Sequence, residues 1–156
     1  MKGIPATSFK YDNSNIDIYL ENEFYNFLSP IHENILKTSI IISSEADGFK
    51  RYEIERNVFL ASPLELGFSQ GLEGWGTKIE YFSSNLERRA SGDRPDWYTR
   101  EYRYNVSTPS FKRITSTGGF DTQTMGYSGI RPFFCLKNSV MVSPDPNPDG
   151  SYNLIL

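Results

Sequence analysis

The chain has 156 residues, with 16 Lys+Arg against 19 Asp+Glu for a formal net charge of −3, 38% hydrophobic and 15% aromatic residues, one histidine and one cysteine. That length and apolar content suffice for one domain with a core of its own and no disulfide or metal staple, and the acidic balance excludes a global basic field that recruits nucleic acid or an anionic membrane. The lone cysteine, Cys135, excludes an internal disulfide, and its place in an apolar run reads as a buried small hydrophobe.

Residues 1–10 carry no periodicity and read as a lead-in. They lack the basic-then-apolar pattern of a signal peptide, and no run in the chain approaches the length of a membrane span. Ile16, Tyr19, Leu20, Phe24, Phe27 and Leu28 then recur at helical spacing with Asp17, Glu21, Asn22 and Asn26 elsewhere, which predicts an amphipathic helix capped by Ser14 with Asp17 as its capping-box partner. Ser29-Pro30 predicts a second short helix that carries the apolar face on through Ile31, Ile35 and Leu36. Ser39 to Ser43 is a β-branched strand, and Glu45 to Arg56 an exposed loop or hairpin. Ser62-Pro63-Leu64-Glu65-Leu66-Gly67 packs a cap, an N1 proline, a capping-box glutamate and a stop into one helical turn. The glycines at 71, 74 and 76 around Trp75 lack the Lys-Ser/Thr of a phosphate loop. A further short helix is expected within Tyr81 to Ala90.

Trp97 to Tyr104 reads as a strand, with Tyr98, Arg100, Tyr102 and Tyr104 on one face and Trp97, Thr99, Glu101 and Arg103 on the other. Phe111 to Thr115 is a second strand, Ser116-Thr117-Gly118-Gly119 the turn after it, and Gly129 to Leu136 a third strand with Pro132 near its start or on an edge. Cations gather along this half at Arg88, Arg89, Arg94, Arg100, Arg103, Lys112 and Arg113.

Reaction chemistry finds little purchase in these residues. His32 has no clustered Cys or carboxylate partners and is placed on a solvated helix surface. No nucleophile elbow accompanies the serines, and Asp93 with Asp96 reads as a solvated turn rather than an acid–base pair. Asp145, Asn147 and Asp149 followed by Gly150 match the opening of a calcium loop, but its twelfth position holds Leu156 instead of a bidentate Glu, and the prolines between them suit a rigid turn into a terminal strand Tyr152 to Leu156. The expectation is no metal and no cofactor.

Five ordered segments carry a resemblance: YDNSNIDIYLENEFYNFLS from Tyr11, VFLASPLELGF from Val58, IEYFSS from Ile79 with Arg89-Ala90 downstream, DWYTR from Asp96, and GIRPFFCL from Gly129. Together they resemble a family of domains of unknown function of Gram-positive gut bacteria and their phages, over about residues 11 to 143. The resemblance implies an α+β domain, similar to C-type-lectin-like and formylglycine-generating-enzyme-like folds, with short helices around a twisted, mostly antiparallel sheet. The calcium-lectin triplets and the copper-binding cysteine pair of those folds are absent, so neither chemistry is implied. Family members carry one or two strands ahead of the first helix, where this chain has ten residues; either the chain is part of a longer polypeptide or a neighbouring chain supplies those strands, and in the second case an open sheet edge predicts a homo-oligomer, most simply a trimer, or pairing with other virion proteins.

The resulting expectation is a single domain over residues 11–156 that acts without catalysis at a virion surface, as a head fibre, capsid decoration or tail-associated protein, and binds a host-surface glycan or protein. A purely structural virion subunit and a bacterial cell-surface adhesin are the alternatives. Trp97, Arg100, Gly129, Arg131 and Pro132 are expected as framework, and Tyr102, Tyr104, Arg113, Asp121, Gln123 and Tyr127 as the ligand-binding set, since they combine aromatic planes with a cation and fixed hydrogen-bonding groups.

Overall fold

The computed structural model describes residues 10–43, 51–68, 76–90, 92–93, 95–103, 110–124 and 127–156. Helices come first. α1 (Asn15–Tyr19) runs into a π-helical segment (Leu20–Phe24), then α2 (Tyr25–Phe27) and a 3-10 helix (Ser29–Asn34). Strands follow as β1 (Ile35–Leu36), β2 (Thr38–Ser43), β3 (Arg51–Arg56), β4 (Phe59–Leu60), then α3 (Asn85–Arg88), β5 (Trp97–Arg103), β6 (Ser110–Ile114), β7 (Phe120–Thr124), β8 (Pro132–Phe133), β9 (Cys135–Leu136), β10 (Met141–Val142) and β11 (Leu154–Ile155). They pair antiparallel as β1-β9, β2-β3, β4-β8, β5-β6-β7 and β10-β11, which makes an α+β fold of short helices and several small sheets.

The first helix starts as its sequence dictates: Ser14 Oγ accepts the Asp17 N–H at 3.1 Å. Asp17 does not close a capping box on Ser14, however. Its carboxylate takes the Asn13 N–H at 2.9 Å and the Arg56 guanidinium at 2.7 and 2.8 Å, which is why an acid expected on the solvent side is buried. Arg56 also reaches Asp12 at 2.9 Å, and the Asp17 carboxylate holds its guanidinium more firmly protonated than usual. The wide π turn adds a residue to the register. Ile16 and Leu20 stay in the core, whereas Phe27, expected on the same stripe, is rotated out to 79% exposure. Ser29-Pro30 opens a 3-10 turn rather than an α-helix, and Ile35 and Leu36 leave it as β1, paired with Leu136 and Cys135.

β5 divides the core. Alternate residues of a strand face opposite ways, so Tyr98 joins a cluster with Tyr11, Ile16, Leu20, Ile42, Phe59 and Phe111, while Trp97 joins a second one with Ala61, Leu66, Phe82 and Ile114. Both of its faces are covered: Thr99, Arg100 and Glu101 are buried as well. The Gly129–Leu136 segment is not the third strand of this sheet. β7, just past the glycine turn, takes that place with Arg113 opposite Asp121 and Phe111 opposite Gln123, while the later segment splits into β8 and β9 to serve β4 and β1. Pro132 pairs Leu60 there, and Cys135 is half-buried against the first cluster.

The β6-β7 turn leans on α3. Thr115 N–H bonds the Gly119 carbonyl at 2.9 Å, Gly118 N–H bonds the Thr115 carbonyl at 2.8 Å, and a Cβ at Gly118, whose φ is +80°, would stand 1.8 Å from the Asn85 carbonyl oxygen. Gly92 has φ +105° with nothing within 4 Å of such a Cβ among the described residues. Gly118→Ala is therefore expected to cost about 3 kcal/mol or more, the left-handed strain plus a backbone clash, and Gly92→Ala only the strain, about 1 kcal/mol. Urea unfolding of the two variants checks the difference; equal losses would remove the turn–helix contact from the account.

Candidate functional site

Two constellations of charge lie on β5 and its neighbours, one internal and one at the surface. The internal one is built on the Ser62–Gly67 turn. Ser62 Oγ accepts the Glu65 N–H at 3.2 Å and the Glu65 carboxylate accepts the Ser62 N–H at 2.9 Å, a reciprocal capping box that Gly67 ends at φ +86°. The same carboxylate receives Arg100 in fork geometry, at 2.6 and 2.7 Å. Arg100 Nε donates to the Ile41 carbonyl at 2.9 Å and its Nη1 to the Leu60 carbonyl at 2.9 Å, so one guanidinium ties β5 to β2, β4 and the turn. A buried cation is tolerated because its donors are met by two carboxylate oxygens and two carbonyls.

Trp97 and Arg131 make the second half of this framework. Trp97 Nε1 donates to the Arg88 carbonyl at 2.9 Å, and the Arg131 guanidinium stands over both the Trp97 and Phe82 rings, at 5.3 and 5.2 Å, with a hydrogen bond to the Glu87 carbonyl at 3.2 Å. Burial holds Arg131 below the usual arginine range. Gly129 bridges to β5: its N–H bonds the Asp96 carbonyl at 2.6 Å and its carbonyl accepts the Tyr98 N–H at 3.1 Å. Two of the cations that cluster in the sequence, Arg88 and Arg100, are thus internal wiring, whereas Arg89 is exposed. Arg88 is buried too, with its guanidinium on the Leu66 and Phe82 carbonyls and over the Phe68 ring, and desolvation lowers its pKa. Arg94 lies outside the described residues.

The surface constellation centres on Arg113. Its Nη1 meets Asp96 at 2.8 Å and its Nη2 meets Asp121 at 3.1 Å, with the cation about one-fifth exposed. Each carboxylate is fixed by its other oxygen, Asp96 by the Ser116 N–H and Asp121 by the Thr122 N–H, both at 2.7 Å. The Thr122 N–H and then Arg113 hold the Asp121 carboxyl below the usual carboxylate range. Beside them Lys112 Nζ donates to Thr122 Oγ1 at 2.8 Å over the Phe120 ring. Tyr127 is 65% exposed and stands two residues before Gly129, hence at the Asp96 end of the sheet.

Of the sequence-derived set, then, Arg113 and Asp121 are joined directly and Tyr127 lies at the same end. Tyr102 and Gln123 stand two residues farther along the ladder, both opposite Phe111; Tyr104 lies outside the described residues. Asp96 was not in that set, and only the pairing of β5 with β6 reveals it as the partner of Arg113. The Asp145–Gly150 segment closes on itself: Asp149 accepts the Ser151 N–H at 2.9 Å and hydroxyl at 2.6 Å, and Asn147 Nδ2 donates to Ser151 Oγ at 3.0 Å. No group of three His, Cys, Asp or Glu side chains able to hold a metal occurs among the described residues. His32 is half-buried rather than solvated, stacked on Tyr25 at 3.9 Å with its Nε2 2.5 Å from the Tyr25 carbonyl. Gly71, Gly74 and Trp75 lie outside the described residues.

The two constellations differ in what their loss should do. Arg100→Met leaves the largely buried Glu65 carboxylate without its cation and is expected to cost about 3 kcal/mol; Arg113→Met exposes two carboxylates that water can reach and should cost about 1 kcal/mol. Denaturant midpoints of the two variants measure the gap, and an Arg100 variant as stable as the Arg113 one would overturn the assignment of the framework.

A search of curated proteins and of solved structures returns no match to the chain. The family model described as a domain of unknown function, DUF6273, matches residues 4–138, which takes in both constellations and every helix and strand from α1 to β9. The chain belongs to this DUF6273 family.

Proposed function

We propose that the chain is a non-catalytic, lectin-like recognition domain displayed on a phage particle, on a head fibre, a capsid decoration or the tail, where the β6-β7 face binds a host-surface glycan or protein. The observation that carries this reading is the Asp96–Arg113–Asp121 array, a cation and two carboxylates held in fixed geometry at the surface of a sheet whose strand β5 is tied to β2, β4 and the Ser62–Gly67 turn by Arg100. Groups that are rigid before binding lose little entropy on capture, and a guanidinium flanked by carboxylates offers donors and acceptors together, as sugar hydroxyls and peptide groups require. Tyr127 adds an exposed aromatic plane for a sugar ring or an apolar side chain. The virion setting rests on the family resemblance of the five ordered segments.

Binding of the chain to host cells and to a glycan array tests the proposal. Asp121→Ala and Tyr127→Ala should each weaken binding roughly tenfold, about 1.4 kcal/mol, with the thermal midpoint unchanged. Unchanged binding in both variants, or saturable hydrolytic turnover by the intact chain, would overturn it.

A further inference from the structure

β10 and β11 pair only with each other among the described residues, and they lie beyond the stretch that matches the family. A lone two-stranded hairpin is marginal in water without a surface to pack on. Yet Met141, Val142, Tyr152, Leu154, Ile155 and Leu156 are 39% to 63% exposed. Exposed edges are commonly protected by charge, proline or a bulge. Tyr152 to Leu156 has none of the three; the charged side chains of residues 138–156 are Asp145 and Asp149, both in the loop.

We propose that β11 is a self-association edge, which pairs antiparallel with β11 of a second copy of this chain about a two-fold axis through Leu154. Backbone geometry sets that register. Ser143 N–H bonds the Asn153 carbonyl at 2.9 Å, so the next rung, Val142 with Leu154, is the non-hydrogen-bonded one, and the Leu154 N–H and carbonyl point outward along the open edge. Two copies exchange both bonds at Leu154, and the two-fold then sets Tyr152 opposite Leu156 of the second copy and Asn153 opposite its Ile155. Tyr152, Leu154 and Leu156 share one face by alternation, and Val142 joins it across the hairpin. The self-pairing therefore builds a continuous apolar stripe from residues that are each exposed in the single chain.

Charge and area fit the same occupant. Antiparallel pairing sends the two Asp145–Asp149 loops to opposite ends, so the like charges never meet. On the shared face the stripe joins Val142, Tyr152, Leu154 and Leu156 of both copies, 39% to 63% exposed in the single chain, so their cross-strand contacts remove apolar area from water along the whole edge. An isologous contact of this kind closes at two copies.

Sedimentation velocity of the intact chain over a micromolar dilution series should show a species of twice the 17.9 kDa mass, and Leu154→Lys, which sets two like charges opposite each other, should abolish it with circular dichroism and Trp fluorescence unchanged. As a second route, Leu154→Cys in a Cys135→Ser background should oxidise to an intermolecular disulfide, because hydrogen-bonded antiparallel partners stand about 5.5 Å apart at Cα, inside the disulfide range. Met141→Cys in the same background, on the far strand, should stay largely uncrosslinked. A monomer at every concentration, a trimer, or equal crosslinking at 141 and 154 would overturn the proposal.

Discussion

The Glu65 carboxylate carries two duties, and the architecture depends on its doing both. As a capping-box acid it turns the chain after β4; as the partner of Arg100 it neutralises a cation in the middle of the fold. The sequence around it is arranged to let the two coexist. Gly67 stops the turn, and Gly76 passes so close that a Cβ there would lie 2.6 Å from Glu65 Oε1. A buried ion pair is seldom a large net source of stability, but with one partner gone the other is left unpaid in a low dielectric. Its effect here is on specificity: β2, β4 and β5 meet in one arrangement because one guanidinium must reach the Ile41 carbonyl, the Leu60 carbonyl and the carboxylate together.

A second bond of the same type fixes the helical end. Arg56 leaves β3 to take Asp17 and Asp12, while Glu21 takes the Asn57 and Val58 N–H groups at 2.7 and 2.8 Å. The helix is thereby pinned through its acids as well as through Ile16 and Leu20. The π segment lies between Asp17 and the Tyr25–His32 stack.

What the sequence made legible was local. Ser14, the Ser62–Glu65 pair and the Ser116–Gly119 turn each act on residues within a few positions, and each is found where its chemistry predicts. Partners farther along the chain were hidden. Asp17 and Arg56 are 39 residues apart and Glu65 and Arg100 35, with no periodicity to link them. The same ion pair explains why neither face of β5 is plainly apolar in sequence: alternation signals burial only when the buried residue is apolar, and here a buried position holds arginine. Within the surface array, Arg113 and Asp121 were both visible as candidates. Their contact follows once β7 begins at Phe120, since the glycine turn then sets them opposite each other.

The division of charge bears on how such a domain can vary. Arg88, Arg100 and Arg131 are each held by carbonyls or carboxylates inside the fold or stacked on buried rings, so changes there alter the scaffold before they alter any surface. Asp121, Lys112 and Tyr127 lie on the other side of that boundary. Asp121 and Lys112 bond neighbours on the sheet and Tyr127 is 65% exposed, and surface substitutions of this kind usually leave stability within about 0.5 kcal/mol. A sheet tied from within by one arginine and carrying polar groups at its surface separates the residues that build the fold from those it exposes. On the reading proposed here, that separation is what lets the β6-β7 face diverge toward different ligands while the five ordered segments that build the core stay recognisable.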